Sequence, residues 1–124
     1  MKQIDDKLVT IYIDIDDTLT PDLGQSFFAG SIEKIKELST KSNIIIWSHG
    51  GLDYVNSIVI KAELLEYICM CMIKPDLIID DLSFDKFSGH KRINNGSWDF
   101  ELELEGNWIE DYEQIRDIRE WDNK

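Results

Sequence analysis

The chain is poor in the residues that punctuate or staple a small fold. Its 124 residues include only two prolines, two cysteines and two histidines. Two cysteines cannot supply the disulfide framework of a small secreted domain. Cys69 and Cys71 stand two apart in an apolar stretch, a spacing that rarely meets disulfide geometry. They read as reduced, buried side chains of a cytoplasmic protein. Basic residues are scarce too: 13 Lys and Arg against 25 Asp and Glu give a net charge of -12. That balance excludes strong non-specific binding to nucleic acid and to anionic membranes. The longest apolar run, Ile68 to Ile73, is far too short to span a membrane. The amino-terminal MKQIDDK is polar and acidic, which is not the pattern of a signal peptide. No repeat, low-complexity tract or Pro/Gly-rich linker interrupts the chain, so residues 1–124 read as a single domain.

What is present is apolar residues in ordered blocks, 43% of the total. Leu8 to Ile13 (LVTIYI) is β-branched and continuous, as in a strand buried on both faces. Thr20 to Gln25 is turn-rich. From about Ser26 to Leu38 a helical period places Phe28, Ile32, Ile35 and Leu38 on one side. Ser42 and Asn43 break that helix, and Ile44 to Trp47 forms a second buried strand. A second helix follows from about Leu52 to Lys61, with Val55, Ile58 and Val59 facing the core and a further helical piece reaching Tyr67. Cys69 to Ile73 reads as a third strand and Leu77 to Ile79 as a fourth. Phe100, Leu102 and Leu104 alternate with glutamates, the pattern of an edge strand. Tyr112, Ile115, Ile118 and Trp121 have helical spacing. Strands alternating with helices predict an α/β fold: a three-layer α/β/α Rossmann-like sandwich on a mainly parallel sheet, with the first strand central.

In an open parallel sheet the ligand site lies beyond the carboxyl ends of the strands. Here those ends carry Asp14-Ile15-Asp16-Asp17-Thr18, Ser48 and Asp80-Asp81, with Lys74 before the last strand. Carboxylates gathered at one rim repel each other, and a hard divalent cation such as Mg²⁺ neutralises them, keeping water and phosphate oxygens as its other ligands. The constellation calls for a phosphate ligand. Read singly, Ser48 is a helix cap, Lys74 a solvated turn lysine, and the aspartates turn residues. The tryptophans Trp47, Trp98, Trp108 and Trp121 read as packing rather than as stacking platforms. The run His90-Lys91-Arg92 reads as a solvated loop.

Taken together, the motifs resemble the haloacid dehalogenase (HAD) superfamily of phosphohydrolases. The resemblance rests on YIDIDDTLT with Asp14, Asp16 and Thr18, on Ser48 in IIIWSHGG, on Lys74, and on Asp80 and Asp81 in LIIDDLS, all in the family's order between Leu8 and about Ser83. It implies a Mg²⁺-dependent phosphatase that passes through an aspartyl-phosphate. Asp14 would be the nucleophile and Asp16 the general acid and base. Ser48, with His49 and Gly50 beside it, would bind the phosphoryl oxygens, and Lys74 would offset their charge. The metal ligands would be Asp14, the carbonyl of Asp16, and Asp80 or Asp81. The position usually held by Gly in such phosphatases is Asp17 here. Neither gap between motifs can hold a cap domain, so the chain resembles a minimal, capless member. An open site suits large substrates such as polynucleotide ends or phosphoproteins. The charge of -12 argues against tight non-specific nucleic-acid binding. The substrate class stays open among a small phosphomonoester, a nucleotide and a macromolecular phosphate end. A phosphoacceptor receiver domain shares these residue types, but there the acidic pair comes first and the lysine last. A catalytically idle domain of HAD type used for binding is the other alternative.

Overall fold

The first strand, β1 (Val9–Asp14), is a run of β-branched and aromatic residues, which suits a pleated and partly buried surface. The computed structural model describes residues 1–81, 92–93, 96–102 and 104. They divide between two compact units, Met1–Asp76 with Ile93–Phe100, and Leu77–Arg92 with Glu101–Lys124. The first unit carries helix α1 (Ser31–Ser39), strand β2 (Ser42–Ser48), helix α2 (Leu52–Lys61) and strand β3 (Met70–Ile73). The three strands form an all-parallel sheet in the order β1-β2-β3. The protein is thus of the α/β class, in line with the strand–helix alternation of its sequence.

Helix α1 packs against β2, and α2 against β2 and β3. One face of the sheet carries Ile13, Ile44 and Ile46 at 6%, 0% and 0% exposure; on the other, Ile45 is 3% exposed while its register partner Tyr12 is 44% exposed. The middle strand is thus buried on both faces. The first strand is not central. Among the described residues β1 is an edge and β2 is the middle strand.

Further expectations are corrected. The first helix begins at Ser31 rather than near Ser26, because Gly30 sits at φ 80, outside helical geometry. The residues before it form a loop in which the Asp22 carboxylate accepts from the Ser26 N–H and hydroxyl at 2.8 and 2.7 Å. Ser42 and Asn43 do not separate helix from strand but open β2. Asn43 is buried there, accepting from the Asp5 N–H at 2.9 Å and donating to the Asp5 carbonyl at 2.9 Å and Thr10 Oγ1 at 3.1 Å. Leu77 to Ile79 is not a strand. These side chains are 76%, 47% and 91% exposed, and the ladder ends before them, where the Lys74 N–H bonds the Ser48 carbonyl and Pro75 offers no donor.

The second helix has the expected bounds and buries Val55, Ile58 and Val59; beyond it the chain passes through turns to Tyr67 instead of continuing as helix. Both cysteines are free, but only Cys69 is buried; Cys71 is half-buried. Residues 100–102 and 104 are irregular rather than an edge strand. The Phe100 N–H bonds the Trp98 carbonyl at 3.1 Å and is thereby used locally. Trp98 is buried, and its indole N–H donates to the Thr18 carbonyl at 2.7 Å. The helix expected through Tyr112 to Trp121, and residues His90 and Lys91, lie outside the described residues. Among the described residues no helix is long and apolar enough to cross a membrane.

Candidate functional site

The parallel register decides which side chains share the rim. Asp14 is the last residue of β1 and pairs with Trp47; Ser48 is the last residue of β2 and pairs with Ile73, the last of β3. Lys74 follows at once. Asp14, Ser48 and Lys74 therefore stand at the carboxyl ends of three adjacent strands. The lysine spans the middle strand: its Nζ lies 5.9 Å above the Trp47 ring and 3.8 Å from Asp14 Oδ1. Trp47 is itself held edge-on by Tyr12, with ring centroids 4.7 Å apart.

Beyond β1 the chain turns sharply. The Ile15 carbonyl accepts from the N–H groups of Leu19 and Thr20, and the Asp17 N–H bonds the Thr20 carbonyl at 2.8 Å. Asp17 sits at φ 62. This is the left-handed region, open to Gly and tolerated by Asp. Ile15 and Leu19 are fully buried anchors on either side of Asp16. Thr18 Oγ1 lies 3.4 Å from Asp14 Oδ2, a long contact that closes the loop over the carboxylate.

Ser48 does not cap α2. The N-cap of that helix is Gly51, at φ 100 and with no side-chain cap bond. Instead Ser48 Oγ accepts the Gly50 N–H at 3.0 Å, which leaves its own proton for another acceptor. The first-turn N–H groups of α2 begin just after this rim, and such groups favour an anion. His49 is 57% exposed, with Nδ1 3.5 Å from Asp76 Oδ1, an ion pair only when the imidazole is protonated.

One residue at the rim carries no motif. Tyr54, in the first turn of α2, donates its hydroxyl to Asp16 Oδ1 at 2.5 Å. Burial pushes its phenol above the ordinary value of 10.0, and the bond to Asp16 and the charges of Asp16 and Asp14 add to this. Tyr54 therefore stays a donor. The available signal was a hydroxyl-bearing aromatic one helical turn before Ile58, where packing alone asks for no polar atom.

The expected residues are thus gathered in part. Asp14, Asp16, Ser48, His49, Gly50 and Lys74 all belong to the first unit, whereas Asp80 and Asp81 are exposed residues of the second. Among the described residues no group of three His, Cys, Asp or Glu is arranged to hold a metal ion. The donors that the first unit offers are the Asp14 carboxylate and the Asp16 carbonyl, to which no described backbone N–H is bonded. That set fits Mg²⁺, which takes one or two carboxylates and fills its other positions with water and phosphate. Comparison with protein-family models gives no match, and comparison with curated proteins gives none.

Proposed function

We propose that the chain is a capless phosphohydrolase of the HAD type that cleaves phosphate monoesters through an aspartyl-phosphate on Asp14. One observation chiefly supports this reading: Asp14 and Ser48 end two adjacent parallel strands, Lys74 directly follows the third, and the ammonium lies 3.8 Å from the carboxylate. Asp14 Oδ1 or Oδ2 attacks phosphorus while the bond to the leaving oxygen breaks. Asp16 gives that oxygen a proton, then takes one from the water that attacks the phosphoryl group and frees Asp14. Ser48 donates its hydroxyl to a phosphoryl oxygen, with the Gly50 backbone and His49 beside it, and Lys74 offsets the charge that builds on the equatorial oxygens. Mg²⁺ would be held by the Asp14 carboxylate and the Asp16 carbonyl, with water and phosphate oxygens in its other positions, and would supply charge neutralisation. The substrate class is a small phosphomonoester, a nucleotide or a macromolecular phosphate end.

The test is phosphate release from a panel of p-nitrophenyl phosphate, nucleotides, sugar phosphates, phosphopeptides and end-phosphorylated oligonucleotides. Turnover is expected for at least one class, lost with EDTA and lost in Asp14→Asn. Release that persists at the wild-type rate in Asp14→Asn would reject the proposal.

A further inference from the structure

Tyr54 meets Asp16 through a contact that is fixed from both sides. Its hydroxyl lies 2.5 Å from Asp16 Oδ1, the short range of an O–H donor to a carboxylate. The ring is held by the glycine of the rim: a Cβ built on Gly50 would stand 2.7 Å from Tyr54 Cδ2 and 3.3 Å from Cε2. The backbone of Asp16 is held by the turn in which Ile15 accepts from Leu19 and Thr20 and Asp17 donates to Thr20. Packing would need only the ring. The hydroxyl adds a partly buried polar group whose partner is the carboxylate that moves protons in the reaction proposed above.

We propose that Tyr54 is a positioning residue for proton transfer: by donating to Asp16 Oδ1, it reserves Oδ2 as the oxygen that meets the leaving group and then the water. This rests on the reading of Asp16 as general acid and base. With Oδ1 already accepting the hydrogen bond of the phenol, Oδ2 is the oxygen that carries the acid proton of Asp16. It passes to the leaving oxygen as that oxygen's bond to phosphorus breaks and the bond from Asp14 forms. In the second half a water proton returns to Oδ2 as the water oxygen bonds phosphorus and Asp14 departs. The second carboxyl oxygen never needs to rotate into place.

The experiment compares wild type and Tyr54→Phe, which keeps the ring against Gly50, on p-nitrophenyl phosphate and on an alkyl phosphate monoester. General-acid help matters most where the leaving oxygen is basic. For Tyr54→Phe, kcat/KM on the alkyl ester is expected to fall about tenfold or more, and on p-nitrophenyl phosphate by clearly less. In an Asp16→Asn background, Tyr54→Phe should cause no further loss. Equal losses on the two substrates would mark a merely structural role and overturn the proposal, as would wild-type kinetics of Tyr54→Phe alongside a dead Asp14→Asn. If wild type shows no Asp14-dependent release from any substrate, the reading of the site itself fails, and the role of Tyr54 falls with it.

Discussion

Replacing Lys74 with Met separates what the lysine does for the fold from what it does for the chemistry. The ammonium and the Asp14 carboxylate are 3.8 Å apart. At an effective dielectric near 20, unit charges at that distance attract by about 4 kcal/mol. The pair is not in that regime, because its side chains are 36% and 31% exposed. Partly exposed pairs contribute about 1 kcal/mol or less after screening and side-chain entropy. The approach of Nζ to the Trp47 ring at 5.9 Å adds roughly another 0.5 kcal/mol. Lys74→Met keeps the apolar stem, so it should lower stability by no more than about 1.5 kcal/mol, a few degrees in the melting temperature. The effect on turnover should be larger, because charge builds on the phosphoryl oxygens at the transition state. Loss of one such preorganised partner costs about a hundredfold or more in kcat. Thermal melts and phosphate release on the same preparation check both numbers. A loss of turnover below about threefold, or one that merely tracks the unfolded fraction, would refute the reasoning.

Three other perturbations probe the frame around the site. Asn43→Leu removes the bonds to Asp5 and Thr10 from a buried position and should cost about 2 kcal/mol, read as a lower urea midpoint at unchanged slope. Asp17→Gly should stay within about 1 kcal/mol of wild type, because φ 62 suits Gly, while Asp17→Val should cost more than that in the same titration. The Ser26 hydroxyl and N–H, with smaller help from Thr20 and Gln25, hold the Asp22 carboxyl below its ordinary 3.8. A carboxyl lowered in the folded state stabilises above its unfolded value and loses that contribution as pH falls through the lowered one. Asp22→Ala should therefore reduce stability at neutral pH and converge with wild type in acid, as seen in melts from about pH 7 down to about pH 2.

The rim was legible because topology, not side-chain detail, makes it. Parallel strands joined by helices bring their carboxyl ends together wherever Asp14, Ser48 and Lys74 happen to point. The helix Leu52–Lys61 was legible for a similar reason, since Val55, Ile58 and Val59 repeat along one face and Gly51 marks the start. Composition misled where burial depends on a partner. Leu77, Ile78 and Ile79 have the make-up of a buried strand, yet they stand exposed beyond the point where Pro75 ends the ladder. Asn43 looks like a breaker but is a strand residue, because backbone groups near the amino terminus satisfy its amide. Gly30 stands inside an apparent helical period and, with its left-handed φ, delays the helix start to Ser31. The contact of Tyr54 with Asp16 joins residues 38 apart through side chains alone, and no spacing rule reaches that far.

The central claim is that Asp14 becomes covalently phosphorylated. It is tested most directly by quenching the protein in acid during turnover of a substrate it hydrolyses and mapping its peptides by mass spectrometry. The account predicts phosphate on the peptide bearing Asp14, more of it when the second step is slowed in Asp16→Asn, and none in Asp14→Asn. Steady phosphate release with no phosphate on Asp14 at any quench time, in wild type or in Asp16→Asn, would contradict it.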